Sequence, residues 1–166
     1  MASLPDAEKL CEQIARELKA QVKPSTAMIG IHTGGARVAE RLHAALGLPV
    51  PLGLLDIAFY RDDYAKQGLA KDPKRSKIPF DVEGRDLLLV DDVLHTGRTV
   101  RAAMNELFDY GRPASIALVV LAERGGRQLP VCAQFAGARV EVPAGMRLRL
   151  KRGDQGKLSL ELERGP

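Results

Sequence analysis

Four consecutive apolar residues, Leu87, Leu88, Leu89 and Val90, run straight into Asp91-Asp92, and this run constrains the fold more than any other feature. A strand with one wet face alternates apolar and polar side chains, whereas a run without alternation is buried on both faces, as in a parallel sheet covered by helices. Three other segments fit the same architecture. Residues 27–31 form a short apolar strand that enters Thr33-Gly34-Gly35, residues 52–60 read as a second strand, and residues 116–122 as a fourth. Helical periodicity separates them: Leu10, Ile14 and Leu18 ahead of Lys23-Pro24, then Val38, Leu42 and Leu46 up to Gly47, then Val100, Ala103, Met104 and Leu107 before Gly111-Arg112-Pro113. Strands alternating with helices predict an α/β fold, a parallel sheet flanked by helices, in a single domain over residues 1–166.

Two segments fall outside this alternation. Residues 61–85 are rich in Lys, Asp, Pro and Gly without an apolar period, and so long a loop in a compact domain reads as a functional lid or a disordered insertion. Near the C-terminus apolar and charged residues alternate in Arg147-Leu148-Arg149-Leu150 and again in Leu158-Ser159-Leu160-Glu161-Leu162, which predicts a hairpin about Gly153-Asp154-Gln155-Gly156.

Composition narrows the function classes. The two cysteines, Cys11 and Cys132, have neither CxxC spacing nor a disulfide framework and read as buried free thiols. No apolar leader and no apolar run of about 18 residues is present, so a membrane span is excluded and a cytoplasmic location is expected. The net charge of +4 suits anionic ligands, phosphate esters and nucleic acid alike.

The densest polar constellation follows the buried run. Adjacent carboxylates at Asp91 and Asp92 suit a vicinal diol and, through water, a divalent metal, because hard cations prefer oxygen ligands. Thr96-Gly97-Arg98-Thr99 then opens a helix, whose free N–H groups and dipole favour a phosphate dianion. Either feature alone fits a blander account, a polar strand end or a helix cap. Together, in one register, they are far more specific, and the absence of GxxxxGK[ST] argues against a P-loop protein. Ligands of open α/β sheets bind beyond the carboxyl ends of strands, where this segment falls.

In that register residues 87–99 resemble the signature by which type I phosphoribosyltransferases bind phosphoribosyl pyrophosphate (PRPP). Gly111-Arg112-Pro113, residues 123–130 (Glu-Arg-Gly-Gly-Arg-Gln-Leu-Pro), Tyr60-Arg61-Asp62-Asp63 and Ile78-Pro79-Phe80-Asp81 extend the resemblance over roughly residues 7–142. The resemblance is greatest to pyrimidine operon regulators that also act as uracil phosphoribosyltransferases. It implies the fold of that family, with a small hood and a mobile lid, and a reaction of uracil with PRPP giving UMP and pyrophosphate. Asp91 and Asp92 would bind the ribose hydroxyls and, through PRPP and water, Mg2+. Val93, Leu94, His95, Thr96, Gly97, Arg98 and Thr99 would complete the PRPP loop, with Thr96 to Thr99 around the 5′-phosphate. Thr33, Gly34 and Gly35 would form the pyrophosphate loop. Arg61, with Lys71, Lys74 and Arg75 of the lid, would close over the pyrophosphate, and Arg124 would border the base beneath the hood. A homo-oligomer, dimer or higher, is implied.

Three residues depart from the family pattern. Gly34 stands where the family has an arginine, so one cation near the leaving group is missing. His95 stands where the pyrimidine regulators have tyrosine and purine enzymes an aspartate. Glu123 stands in place of aspartate. Three readings stay open at this level: the uracil enzyme with a regulatory role, an RNA-binding sensor of UMP or UTP, and a purine phosphoribosyltransferase. RNA phosphates would meet Lys71, Lys74, Arg75 and Lys77, or Arg147, Arg149, Lys151 and Arg152. His95 would serve either as a proton carrier or as a packing residue, while His32 and His43 read as surface or loop residues.

Overall fold

A computed structural model describes residues 3–57 and 76–165. Helix α1 (Ala7–Lys19) starts where the Asp6 carboxylate accepts the N–H groups of Glu8 and Lys9, and it buries Leu10, Cys11, Ile14 and Leu18 along one stripe. Strand β1 (Ala27–Ile31) is buried throughout and passes into α2 (Gly34–Leu46), which ends on Gly47 in the left-handed conformation, φ 59°. Then come β2 (Gly53–Leu55), β3 (Asp86–Leu94), α3 (Arg98–Leu107), β4 (Ser115–Glu123), β5 (Phe135–Arg139), β6 (Met146–Arg152) and β7 (Leu158–Arg164).

Strands β2-β1-β3-β4-β5 form one sheet in that order, every pairing parallel. Its two faces carry separate apolar clusters. Leu88, Val90, Val119 and Leu121 pack on α1 and α2, while Leu87, Leu89, Leu118 and Val120 pack toward α3. Alternate residues of one unbroken apolar run therefore supply both cores, which is why the run does not alternate in hydropathy. The hairpin β6–β7 is antiparallel, and its inward residues Leu148, Leu150, Leu158 and Leu160 join the core on the α1–α2 side.

Four readings need correction. Strand β3 is longer than its apolar stretch: pairing with β4 continues through Val93 and Leu94, so the acid pair sits within the strand. Strand β2 is shorter than 52–60, stopping at Leu55, with Ala58, Phe59 and Tyr60 outside the described residues. The edge strand β5 has no counterpart in the sequence reading, because Phe-Ala-Gly-Ala-Arg is short and its burial only partial. Tertiary packing positions it: a Cβ at Gly137 would stand 2.5 Å from the Leu121 carbonyl oxygen and 3.1 Å from Leu10 Cβ. Cys11 is buried, as expected, but Cys132 is exposed in the connection between β4 and β5. Burial raises the Cys11 thiol to about 11, with Glu8 adding to the effect, and this keeps it protonated and unreactive.

Candidate active site

Strands β1 and β3 are sheet neighbours, with Gly30 opposite Val90, so the loops leaving their carboxyl ends meet. Between those loops and the hairpin lies a cavity of about 610 Å³. Thr33, Gly34, Asp91, Asp92, Val93, His95, Thr96, Arg98, Thr99 and Arg124, all singled out in the sequence, line it.

The two carboxylates are unlike. Asp91 is 5% exposed, its Oδ1 accepts the Asp92 N–H at 2.9 Å, and it has a further partner. Asp92 is half-buried, and its Oδ1 accepts the Val93 N–H at 2.8 Å. The other oxygen, Oδ2, lies 2.0 Å from where a Cβ on Gly34 would stand. Gly34 is glycine because the Asp92 carboxylate fills the space its side chain would need. Gly35 is equally constrained by backbone: its Cβ would meet the Val90 carbonyl oxygen at 2.5 Å and Asp91 Cα at 2.9 Å. The peptide between His32 and Thr33 is cis.

Two helices begin at this cavity. Neither α2, entered through Thr33, nor α3, entered through Gly97, has a side-chain cap or an acidic residue in its first turn, in contrast to the Asp6 cap of α1. Neither dipole is offset from within its own helix, which suits anions, although the Asp92 carboxylate stands over Gly34 at the start of α2. Thr96 Oγ1 accepts the Arg98 N–H at 3.2 Å, and the Thr96 carbonyl accepts from Gln128 and Leu129, tying the loop to the segment after β4. Gly97 has φ 94°, and Val131 Cγ2 is 2.5 Å from its would-be Cβ, so conformation and space both require glycine. Five arginines (Arg37, Arg98, Arg124, Arg147 and Arg149) and two aspartates line the cavity; Arg147 and Arg149 are paired with Glu163, and cations still outnumber carboxylates, which suits a polyanion.

His95 sits below Gly126, with its Nε2 2.8 Å from the position of a Gly126 Cβ. Loss of solvent, aided by the Arg124 and Arg127 charges, lowers its pKa, so the imidazole is neutral at pH 7. Arg127 holds the loop from behind, donating to the His95 carbonyl, the Glu123 carboxylate and the Val131 carbonyl. Glu123 therefore ends in an ion pair inside this clamp. Arg124 Nη1 donates to the Met146 carbonyl at 3.4 Å, while its buried Nε has no hydrogen-bond partner among the described residues.

Several expected residues stand elsewhere. Gly35 and Gly97 are packed behind the cavity wall, and the Leu94 side chain, 1% exposed, belongs to the core on the α3 side. Arg61, Lys71, Lys74 and Arg75 lie outside the described residues, as does the rest of the expected lid up to position 75, while residues 76–85 are described. Ser76 bonds Asp56 N–H and Glu106, and Lys77 bridges Leu54. His43 is within α2, half-buried, with Nε2 2.8 Å from the Val50 carbonyl oxygen; His32 lines the cavity. Sequence reasoning missed His32 and Arg37 and assigned Arg147 and Arg149 only to RNA. Arg37 was within reach, being one helical turn beyond the glycine loop. The hairpin arginines were not, because packing alone brings β6 to the site.

Among the described residues no cluster of three or more His, Cys, Asp or Glu side chains is arranged to hold a metal. Two carboxylates without further protein ligands suit a divalent ion that arrives with a phosphate ligand and water.

Comparison with known proteins places the chain by family and fold. The phosphoribosyl transferase domain model matches residues 1–140. A bifunctional protein PyrR of Pseudomonas syringae pv. syringae is 46% identical over 97% of this chain and 96% of its own length. One from Nitrosococcus oceani is 46% identical over 92% and 87%. A hypoxanthine phosphoribosyltransferase structure from Staphylococcus aureus superposes with a TM-score of 0.62 at 18% identity, over 82% of this chain and 73% of that one, and shows the shared fold. The chain belongs to the phosphoribosyltransferase family, among its bifunctional PyrR members. Fold and family define a pentosyltransferase.

Proposed function

We propose that the protein transfers the phosphoribosyl group of PRPP to uracil, releasing pyrophosphate and forming UMP, and that it also adjusts pyrimidine gene expression in response to uridine nucleotides. The observation that carries the catalytic half is the convergence of the Asp91–Asp92 pair and two helix N-termini without side-chain caps on one arginine-rich cavity. The name borne by its relatives, bifunctional protein PyrR, supports the pairing of two roles.

In this reading the C1′–O bond to pyrophosphate breaks as a uracil nitrogen forms the new bond to C1′, and the proton of that nitrogen leaves to solvent. Asp91 and Asp92 accept hydrogen bonds from the ribose hydroxyls and place negative charge near a ribose that becomes positive in the transition state. Thr96 to Thr99 hold the 5′-phosphate at the start of α3, and Thr33 to Gly35 hold the pyrophosphate at the start of α2. Arg124 faces the base, and Arg61 with its neighbouring lysines covers the leaving group. Mg2+, bound to PRPP, would neutralise the departing charge. Rate enhancement then comes from alignment and fixed charge, without a covalent intermediate. Neutral His95 offers the base a hydrogen bond without adding a charge. We also place the protein in the cytoplasm as a homo-oligomer; no described helix is long and apolar enough to cross a membrane.

The test is PRPP-dependent formation of UMP from uracil with Mg2+, with hypoxanthine and guanine as rivals. The Asp91→Asn, Asp92→Asn double variant should lose about a hundredfold or more in kcat/KM, since hydrogen bonds to charged groups contribute about 1.5–3 kcal/mol each. Preference for a purine would overturn the uracil assignment. A wild type that binds UMP without turnover would leave only the sensor. RNA affinity that falls steeply with salt is the expected signature of the regulatory half, and its absence at low salt would remove it.

A further inference from the structure

We propose that Arg37 is the cation that holds the pyrophosphate end of the ligand, in place of a side chain at Gly34. The inference rests on the phosphoribosyltransferase reading above and adds a ligand-binding residue to it. It begins with an exclusion. No side chain fits at Gly34 while Asp92 keeps its orientation, because the Asp92 carboxylate oxygen stands 2.0 Å from the Cβ position. A positive charge for this corner of the cavity must come from another position.

Arg37 lies three residues beyond Gly34 and four beyond Thr33, on the same side of the first turn of α2, and its N–H donates to the Thr33 carbonyl. It lines the cavity together with Thr33, Gly34 and Asp92. The next arginine on that helix shows what a structural role looks like. Arg41 is committed to Glu8 through two nitrogens and to the Gly156 carbonyl, and Glu8 also accepts the Leu158 N–H, so this group fastens the hairpin to α1 and α2. Arg37 has no such engagement: among the described residues no hydrogen bond or ion pair holds its guanidinium.

A half-buried guanidinium in the first turn of a helix, unpaired among the described residues, is at the wrong end of the dipole. The first turn of α2 contains no acidic residue, and the nearest carboxylate, Asp92, stands over Gly34; Arg147 and Arg149 of the same cavity wall are by contrast both paired with Glu163. Such an arrangement is unfavourable when empty and becomes favourable when a multiply charged anion occupies the α2 N-terminus. Under the proposed reaction the ligand group at that end is pyrophosphate, whereas the 5′-phosphate belongs to the α3 end.

Two probes separate the ends: inorganic pyrophosphate, and UMP, which has the 5′-phosphate alone. Binding of each is measured calorimetrically with Mg2+ for wild type, Arg37→Ala and Arg37→Lys, with thermal unfolding as a check on folding. Arg37→Ala should weaken pyrophosphate binding and raise the KM for PRPP by about tenfold or more, the loss of one charge-assisted contact, while UMP affinity stays within about twofold. Arg37→Lys should fall between, because lysine keeps the charge without the planar fork. Wild-type pyrophosphate affinity in Arg37→Ala, or an equal loss of UMP, overturns the assignment. Should Arg37→Ala not fold, Arg37→Lys decides by the same ratio of pyrophosphate to UMP. A wild type that binds neither PRPP nor pyrophosphate instead overturns the phosphoribosyltransferase reading, a distinct result.

Discussion

The junction leaving β1 and the junction leaving β3 are both strand-to-helix turns on neighbouring parallel strands, yet they build the site in opposite ways. The β3 junction contributes side chains: the acid pair, His95, Thr96, Arg98 and Thr99. The β1 junction contributes space. Its two glycines let Asp92 fold over Gly34 and let the start of α2 press on the backbone at Val90 and Asp91. One loop is thus informative by what it presents and the other by what it omits. A polar cluster is noticed in a sequence, whereas a glycine reveals its function only when the neighbour that fills its space is known.

Adding one methyl group at each glycine sharpens the contrast. The largest effect is expected at Gly35→Ala, where the new Cβ would meet backbone atoms of β3 that cannot step aside. Thermal or denaturant unfolding should register a loss of about 3 kcal/mol, and a well-folded variant with unchanged stability would contradict the close approach. Next is Gly97→Ala, which combines a positive φ with a collision against the Val131 side chain. It should lose about 2 kcal/mol, and affinity for UMP should fall because the phosphate loop moves with it.

Gly34→Ala should behave differently, because its collision is with a side chain. Asp92 can rotate away, so stability should fall by less than about 1 kcal/mol while kcat/KM for PRPP drops about tenfold as the carboxylate leaves its position. Equal losses of stability at positions 34 and 35 would erase the distinction between them.

The smallest effect concerns His95. Desolvation and the Arg124 and Arg127 charges lower its folded pKa, so the neutral ring is favoured by folding. Its contribution to stability is therefore present above the ordinary histidine pKa and is lost as pH falls through the lowered one. A proton NMR titration should place its midpoint below the ordinary histidine value. Arg127→Gln should move that midpoint upward, and a wild-type midpoint at or above the ordinary value would refute the neutral imidazole.

Legibility in the sequence followed the range of the interactions. Asp6, Leu10, Ile14 and Leu18 specify α1 within a few residues, and the Leu87-to-Val90 run specifies a doubly buried strand, so both were readable. The hairpin was readable from the alternation of Leu148, Leu150, Leu158 and Leu160 with charged residues. Strand β5 was not, since its place depends on β4 and α1, and Gly137 signals close packing only once Leu10 and Leu121 are seen beside it. The extent of β3 was misjudged for a related reason: Asp91 and Asp92 carry no strand signal, and pairing with β4 keeps them extended.

By itself the sequence determined the alternation of strands and helices, the buried run and the Asp-Asp through Thr-Gly-Arg-Thr register, because each is a local pattern of hydropathy, charge and backbone freedom. Only the tertiary structure decided that Asp92 occupies the place of a side chain at Gly34, that Arg37 is uncommitted among the described residues while Arg41 is not, and that Arg147 and Arg149 line the cavity. These arrangements depend on strand order and on the seating of the hairpin against α1 and α2, where residues more than a hundred positions apart come within hydrogen-bond distance. Such contacts follow from the packing of the whole chain, and no local pattern encodes them.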